Sequence, residues 1–349
     1  MTPLGQRLAR EIDATGPMPV TRYMAECVAH YYATRDPLGR DGDFTTAPEI
    51  SQVFGELIGA WLADLWQRAG APDRFRLLEL GPGRGTLMAD LWRATARIAG
   101  FHAAAKVHLI ETSPALRRAQ AARIPHAAWH DRLDEVPDDA PLLLVANEFF
   151  DALPIRQLVR TDRGWRERMV AHRDGAFVAV AGAGSVEALM PASILPSPVG
   201  SMFELAPAAS AVAAEIGARL AANGGAALII DYGHVGPAVG DTLQAVKNHA
   251  FADPFAAPGE TDLTAHVDFA AIAQAVRPAR AWGPVGQGAF LIALGLDART
   301  EALATRAAPA TAELLRSGTA RLVGDDAMGS LFKALALTGA EWPQPAGFS

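Results

Sequence analysis

Arg76-Leu77-Leu78-Glu79-Leu80-Gly81-Pro82-Gly83-Arg84-Gly85-Thr86 decides the fold. A short apolar run, as in a buried parallel strand, breaks into glycines at every second position. A helical pattern follows, carried by Leu87, Met88, Leu91 and Trp92. Strand, glycine turn and helix make the opening unit of a nucleotide-binding α/β fold. Glycine is needed where the backbone turns sharply and a ligand must reach van der Waals contact. A Cβ on Gly83 would stand where that ligand goes. A dinucleotide fingerprint requires a third glycine where Thr86 stands, and a P-loop requires a lysine after the turn. Neither is present.

Further strands follow at parallel-sheet spacing. The second is expected over 106–110, with Glu111 at its end. An acid there, aimed into the crevice, can accept hydrogen bonds from both ribose hydroxyls of a nucleotide-like ligand. A weaker third strand covers 127–131 and ends in Asp131. The fourth, 141–146, runs into Asn147-Glu148-Phe149-Phe150-Asp151-Ala152-Leu153-Pro154. Ligands sit at the carboxyl ends of such strands, and two carboxylates and an amide are costly there unless they bind something. The βα rhythm then stops. Segments 155–161, 165–172 and 176–181 read as a hairpin-rich insertion with turns at Asp162-Arg163-Gly164 and Arg173-Asp174-Gly175. The proline-bearing stretch 185–199 could cover the cleft or form a dimer contact. Strands resume at 226–230, ending in Asp231, then at 279–282 and 331–337, with helices across 287–318.

Upstream of the glycine strand, Leu4, Leu8 and Ile12 mark an amphipathic helix and Gly16-Pro17 breaks it. A second helix begins at Pro19. Both form a layer appended to the sheet. The polar loop 36–50, which ends near Glu49, is a candidate lid before a helix that starts near Ser51. The chain therefore divides into a helical extension with lid (1–70), a cofactor-binding half (71–154), the insertion (155–200) and the remainder of the domain (201–349).

Composition sets the wider limits. Net charge is −7 and no basic stripe occurs, which argues against a nucleic-acid partner. Cys27 is the single cysteine, so no internal disulfide forms, as expected of a reducing compartment. No stretch is apolar enough to span a membrane and no signal peptide is visible, so a cytoplasmic protein is expected. His234, His249 and His266 match no zinc spacing, and no metal site is expected.

The Glu79-x-Gly81-x-Gly83-x-Gly85 pattern resembles motif I of the class I methyltransferases that bind S-adenosylmethionine. That resemblance implies a Rossmann-like sheet of seven strands, mostly parallel, with helices on both faces. It implies that Glu79 faces the cofactor's amino group and Asp131 its adenine. A larger set of segments resembles one family, the MidA family. The set is Gly42-Asp43-Phe44, Thr46-Ala47-Pro48-Glu49-Ile50-Ser51, Phe54-Gly55-Glu56, the glycine turn, 147–154, Glu204 with Pro207, Asp231-Tyr232-Gly233, and Asp262-Leu263-Thr264-Ala265-His266-Val267-Asp268-Phe269. The match covers nearly the whole chain. It implies methylation of a protein arginine, as in the mitochondrial member that acts on a subunit of respiratory complex I. No mitochondrial presequence is visible, which points to a bacterial relative with a different protein substrate.

Arginine stays protonated, and its planar fork pairs with carboxylates. Glu148, Asp151 and Glu204 are thus the expected catalytic acids. Glu79, Gly81, Gly83, Gly85, Glu111, Asp131 and Asn147 are the expected cofactor contacts. Glu49, Asp231, Asp262 and His266 are the expected acceptor contacts. Two rival functions stand beside this one: methylation of a small molecule, and a cofactor-binding assembly factor in which catalysis is secondary. A homodimer is a further expectation.

Overall fold

Seven strands lie side by side in the order Arg280–Gly286, Phe332–Thr338, Gly225–His234, Leu142–Asn147, Phe75–Leu80, Ala105–Ile110 and Ala128–His130. The computed structural model describes residues 1–34, 46–247 and 250–348. The five strands from Gly225–His234 to Ala128–His130 are mutually parallel. Phe332–Thr338 runs antiparallel to both of its neighbours. A two-residue strand, Val267–Asp268, pairs with the far end of Gly225–His234 and makes an eighth. The mostly parallel, seven-membered sheet expected from the sequence is thus present, with one short addition.

The strands are apolar on both sides because helices cover both sides. Leu77, Val107, Leu143, Val145 and Leu228 face one cluster, filled by Phe54, Ile58 and Leu62 of the helix Gln52–Arg68 and by Leu87 and Leu91 of Thr86–Thr95. Leu78, Leu144, Ala227 and Ile229 face the other, filled by Ala213, Ile216 and Leu220 of Pro207–Asn223 and by Phe269 and Ile272. The period of two along each strand assigns its residues to these clusters.

The insertion builds a separate antiparallel sheet from Arg156–Thr161, Gly164–Arg173, Ala176–Ser185 and Met202–Leu205, with Met18–Pro19 of the N-terminal layer as a fifth, edge strand. The first two helices, Pro3–Thr15 and Val20–Thr34, do not pack on the main sheet. Leu8, Met24 and Cys27 share a cluster with Val170 and Phe177 of the inserted sheet and with Leu263 and Ala265. A third, small sheet of Gln244–Lys247, Ala250–Ala252 and Asp262–Thr264 occupies a stretch to which the sequence assigns no strand. Most of the candidate lid, residues 35–45, and His249 lie outside the described residues.

Candidate active site

The carboxyl ends of the parallel strands point to one edge, and a cavity of about 610 Å³ opens there. Its floor is the glycine turn. Gly81 has φ +60° and Gly85 φ +80°, a region that side chains rarely adopt. A Cβ on Gly81 would come 2.9 Å from the ring of Phe149. Gly85 caps the helix Thr86–Thr95 rather than lining the cavity. The remaining wall comes from Val28, Ala29, Tyr32 and Ala33 of the second helix, so the appended layer roofs a site on the main sheet.

Glu79 sits under the turn, 3% exposed. Burial pushes its carboxyl up to about 8, and Oε2 has no hydrogen-bond partner. A buried acceptor without a donor is costly, and an ammonium group in the cavity would satisfy it. Asn147 presents the same need through its buried Oδ1, while its Nδ2 donates to Glu148 at 3.0 Å. The floor therefore presents two buried acceptors that an amino group could satisfy.

Glu111 ends the second strand and lines the cavity. Its Oε1 accepts from the Ser113 N–H at 2.8 Å and its Oε2 from Gln120 Nε2 at 3.1 Å. Burial raises its pKa, and these two donors oppose the rise. Each oxygen keeps a second lone pair for a ribose hydroxyl. Asp131 lines the outer end, largely exposed and paired with Arg117 at 2.7 Å. Arg117 also donates from Nε to the Glu111 carbonyl, which holds the two acids in one frame. Glu49 stands at the rim, where its Oε1 accepts from Thr86 Oγ1 at 2.5 Å.

At the mouth of the fourth strand the backbone is strained. Glu148 adopts φ +51°, an uncommon conformation for a residue with a side chain, and such strain clusters at functional sites. Its Oε1 accepts from the Ala47 N–H at 3.1 Å and from Asn147. Burial pushes its carboxyl up to about 7, and the Asp151 carboxylate adds to the rise. Behind it, Asp151 takes a hydrogen bond from the Tyr232 hydroxyl at 2.6 Å, and its other oxygen is buried without a donor. Its carboxyl is pushed up to about 6, again by burial. Among the described residues no lysine or arginine is ion-paired with Glu148, Asp151 or Asp231.

The structure does not bring every expected residue to the cavity wall. Asp231 is fully buried beneath it, and its Oδ2 accepts from the Phe150 and Asp151 N–H groups at 3.0 and 3.2 Å. It braces the 148–151 turn from below. Asp262 accepts from the Tyr32 hydroxyl at 3.0 Å, behind the roof helix. His266 packs edge-on against Tyr232 and lines a separate small crevice. Glu204 lies in the inserted sheet. Gln157 Nε2 at 2.6 Å, the Thr242 N–H at 3.0 Å and the Thr242 hydroxyl fill its oxygens. A carboxylate so occupied, away from the cavity, is a fastening between the insertion and the main domain. Tyr32 and Gln120 carry no motif signal and are visible only in three dimensions.

An open sheet of this strand order, with a glycine turn, a strand-end acid and one cavity over both, defines an enzyme site for an adenosyl cofactor. A family model of S-adenosyl-L-methionine-dependent methyltransferases matches residues 57–286. The chain is 40% identical to the fruit-fly protein arginine methyltransferase NDUFAF7 homolog, mitochondrial, across 96% of this chain and 84% of that one. It is 36% identical to the mouse protein arginine methyltransferase NDUFAF7, mitochondrial, across 97% and 84%. A crystal structure of a Burkholderia thailandensis protein bound to S-adenosyl-homocysteine superposes with a TM-score of 0.84. It is 28% identical and covers 99% of this chain and 93% of its own. The chain belongs to this family of S-adenosylmethionine-dependent methyltransferases, and S-adenosylmethionine is its cofactor.

These comparisons overturn the expectation of a cytoplasmic protein, since the fly and mouse relatives are named as mitochondrial. That expectation rested on the lack of a visible signal peptide or membrane-spanning stretch, together with a lone cysteine. One free, buried thiol excludes a disulfide scaffold but does not separate one reducing compartment from another. Among the described residues no helix is long and apolar enough to cross a membrane.

Proposed function

We propose that this chain methylates an arginine side chain of a protein. The observation that carries the reading is the set of carboxylates at the fourth strand, the half-buried Glu148 and the buried Asp151 above Asp231, with no ion-pair partner among the described residues. Carboxyls left with raised pKa values are unfulfilled, and a guanidinium entering from the cavity would ionise and satisfy them. Its planar fork suits two neighbouring acids better than an ammonium would. The relatives named as protein arginine methyltransferases support the same acceptor.

In this reading the cofactor supplies an electrophilic methyl group and the chain supplies position. Gly81, Gly83, Glu79, Asn147, Glu111 and Asp131 hold the donor against the strand ends. Glu148, with Asp151 behind it, orients the guanidinium and draws its positive charge away from the attacking nitrogen. The roof helix Val20–Thr34 excludes water, so these charges act in a low dielectric. Among the residues expected at the acceptor, Glu49 reaches the rim, Asp231 and Asp262 lie behind the wall, and His266 lines a separate crevice.

Incubating the protein with methyl-labelled cofactor and cell lysate tests the reading. A labelled protein band that yields methylarginine on hydrolysis is expected, and a complex I subunit is the first purified acceptor to try. A labelled small molecule would favour that rival, and no label would favour an assembly factor. A homodimer joined through the stretch 185–199 is part of the same proposal, supported by the exposed Leu195 and Val199. A solution mass equal to one chain would remove it.

A further inference from the structure

We infer that Gln120 is a positioning residue for cofactor binding, one buried amide that fixes the glycine turn and the ribose-side acid relative to each other. Gln120 lies on the helix Pro114–Arg123 and is completely buried. A buried amide must satisfy two N–H groups and a carbonyl. Nε2 donates to the Gly83 carbonyl at 2.6 Å and to Glu111 Oε2 at 3.1 Å. Oε1 accepts from the indole N–H of Trp129 at 2.8 Å. Rotating the amide by half a turn would set its oxygen against two acceptors and its NH₂ against a donor, so one orientation alone is allowed.

The three partners belong to three different elements. Gly83 is the middle glycine of the turn, Glu111 ends the second strand, and Trp129 lies on the third strand, beside Asp131 at its end. Gln120 is therefore the point where the turn, the ribose-side acid and the adenine end of the cavity are held to one another. The packing agrees. A Cβ on Gly85 would come 3.3 Å from the Gln120 side chain, so the turn lies directly on this residue. With Ser113 holding Oε1 and Gln120 holding Oε2, the Glu111 carboxylate is fixed in plane, and both donors oppose the rise in pKa that its burial causes. A freely rotating Glu111 would meet the ribose in many orientations and would lose affinity to ordering.

The inference rests on the reading of Glu111 as the ribose acid, and the test separates the two. Affinity for S-adenosylhomocysteine is measured by calorimetry on the full chain and on Gln120→Met, Glu111→Gln and the double variant. Each single change is expected to weaken binding about tenfold, the scale of a lost hydrogen bond to a charged group. The double variant is also expected to be weakened about tenfold, not about a hundredfold, because Gln120 acts through Glu111. Effects that multiply would mark Gln120 as a packing residue and overturn the inference. Weakened binding in Glu111→Gln with parental binding in Gln120→Met would overturn it while leaving the ribose reading intact. Parental affinity in Glu111→Gln would remove the ribose reading and this inference with it. Where Gln120→Met yields no folded protein, Trp129→Phe removes only the donor to Oε1. It is expected to weaken binding about threefold, and unchanged affinity there would be equally decisive against the inference.

Discussion

Two carboxylates in this molecule, the buried Glu56 and the half-buried Glu148, are treated in opposite ways. Glu56 is 5% exposed and bonded to Arg93 at 2.8 Å and Arg299 at 2.7 Å. Burial alone would raise its pKa, but the hydrogen bonds from Arg299 and Arg93 overcome it and hold the carboxyl below its usual range. Three helices, Gln52–Arg68, Thr86–Thr95 and Leu296–Ala304, meet at this charge. Glu148 has two neutral donors and, among the described residues, no bonded cation, and its carboxyl is pushed up to about 7. An acid that fastens helices carries its counter-charge within the chain. An acid that awaits a substrate leaves that place open.

The comparison breaks first at Glu148. Glu148→Gln keeps size and hydrogen bonding but removes the charge, and turnover is expected to fall about 100-fold. Affinity for S-adenosylhomocysteine should stay within about twofold of the parent. Equal turnover in radiolabel assays would place the acceptor elsewhere. At the other acid, Arg299→Met leaves Glu56 with one partner and should cost about 1–2 kcal/mol in chemical denaturation, with catalysis unaffected. A loss of activity larger than the loss of folded protein would mean that the helix junction also shapes the site.

A smaller effect sharpens the contrast through pH. Glu79, Glu148 and Asp151 have folded pKa values raised to about 8, 7 and 6, above the ordinary carboxyl range. Such groups bind protons more tightly when folded. Their contribution to stability is complete below the unfolded pKa and is lost as pH rises through 6 to 8. The melting temperature of the free protein should therefore fall by a few degrees between pH 5 and pH 8. Glu148→Gln should flatten the slope. A melting temperature that rises across this window would show that these acids are already compensated.

The strands were largely legible because parallel strands under helices are continuous apolar runs, as in 76–80 and 226–230. The strand Gly225–His234 extends past its predicted end because Asp231 and Tyr232 still pair with Lys333 and Phe332, residues about one hundred positions further along the chain. The turn and the strand-end acid that line the cavity were legible because a glycine turn and a strand-end acid have fixed spacing. Gln120 was not, since a glutamine inside a helix gains its meaning from the turn that lands on it. Tyr32 was not, since periodicity marks an apolar face without naming what it covers. Glu204 and Asp231 read as site acids because a sequence shows a carboxylate without showing its donors. In space the donors are Gln157 and Thr242 for the first and three backbone N–H groups for the second.

The central claim, that the open place beside Glu148 is built for a guanidinium, is tested most directly by paired peptides. One carries the acceptor arginine found by labelling, and the other has citrulline there, the same shape without the charge. Calorimetry in the presence of S-adenosylhomocysteine should show the arginine peptide binding at least about tenfold more tightly, with the difference abolished in Glu148→Gln. Equal affinity of the two peptides for the parent protein would contradict the account.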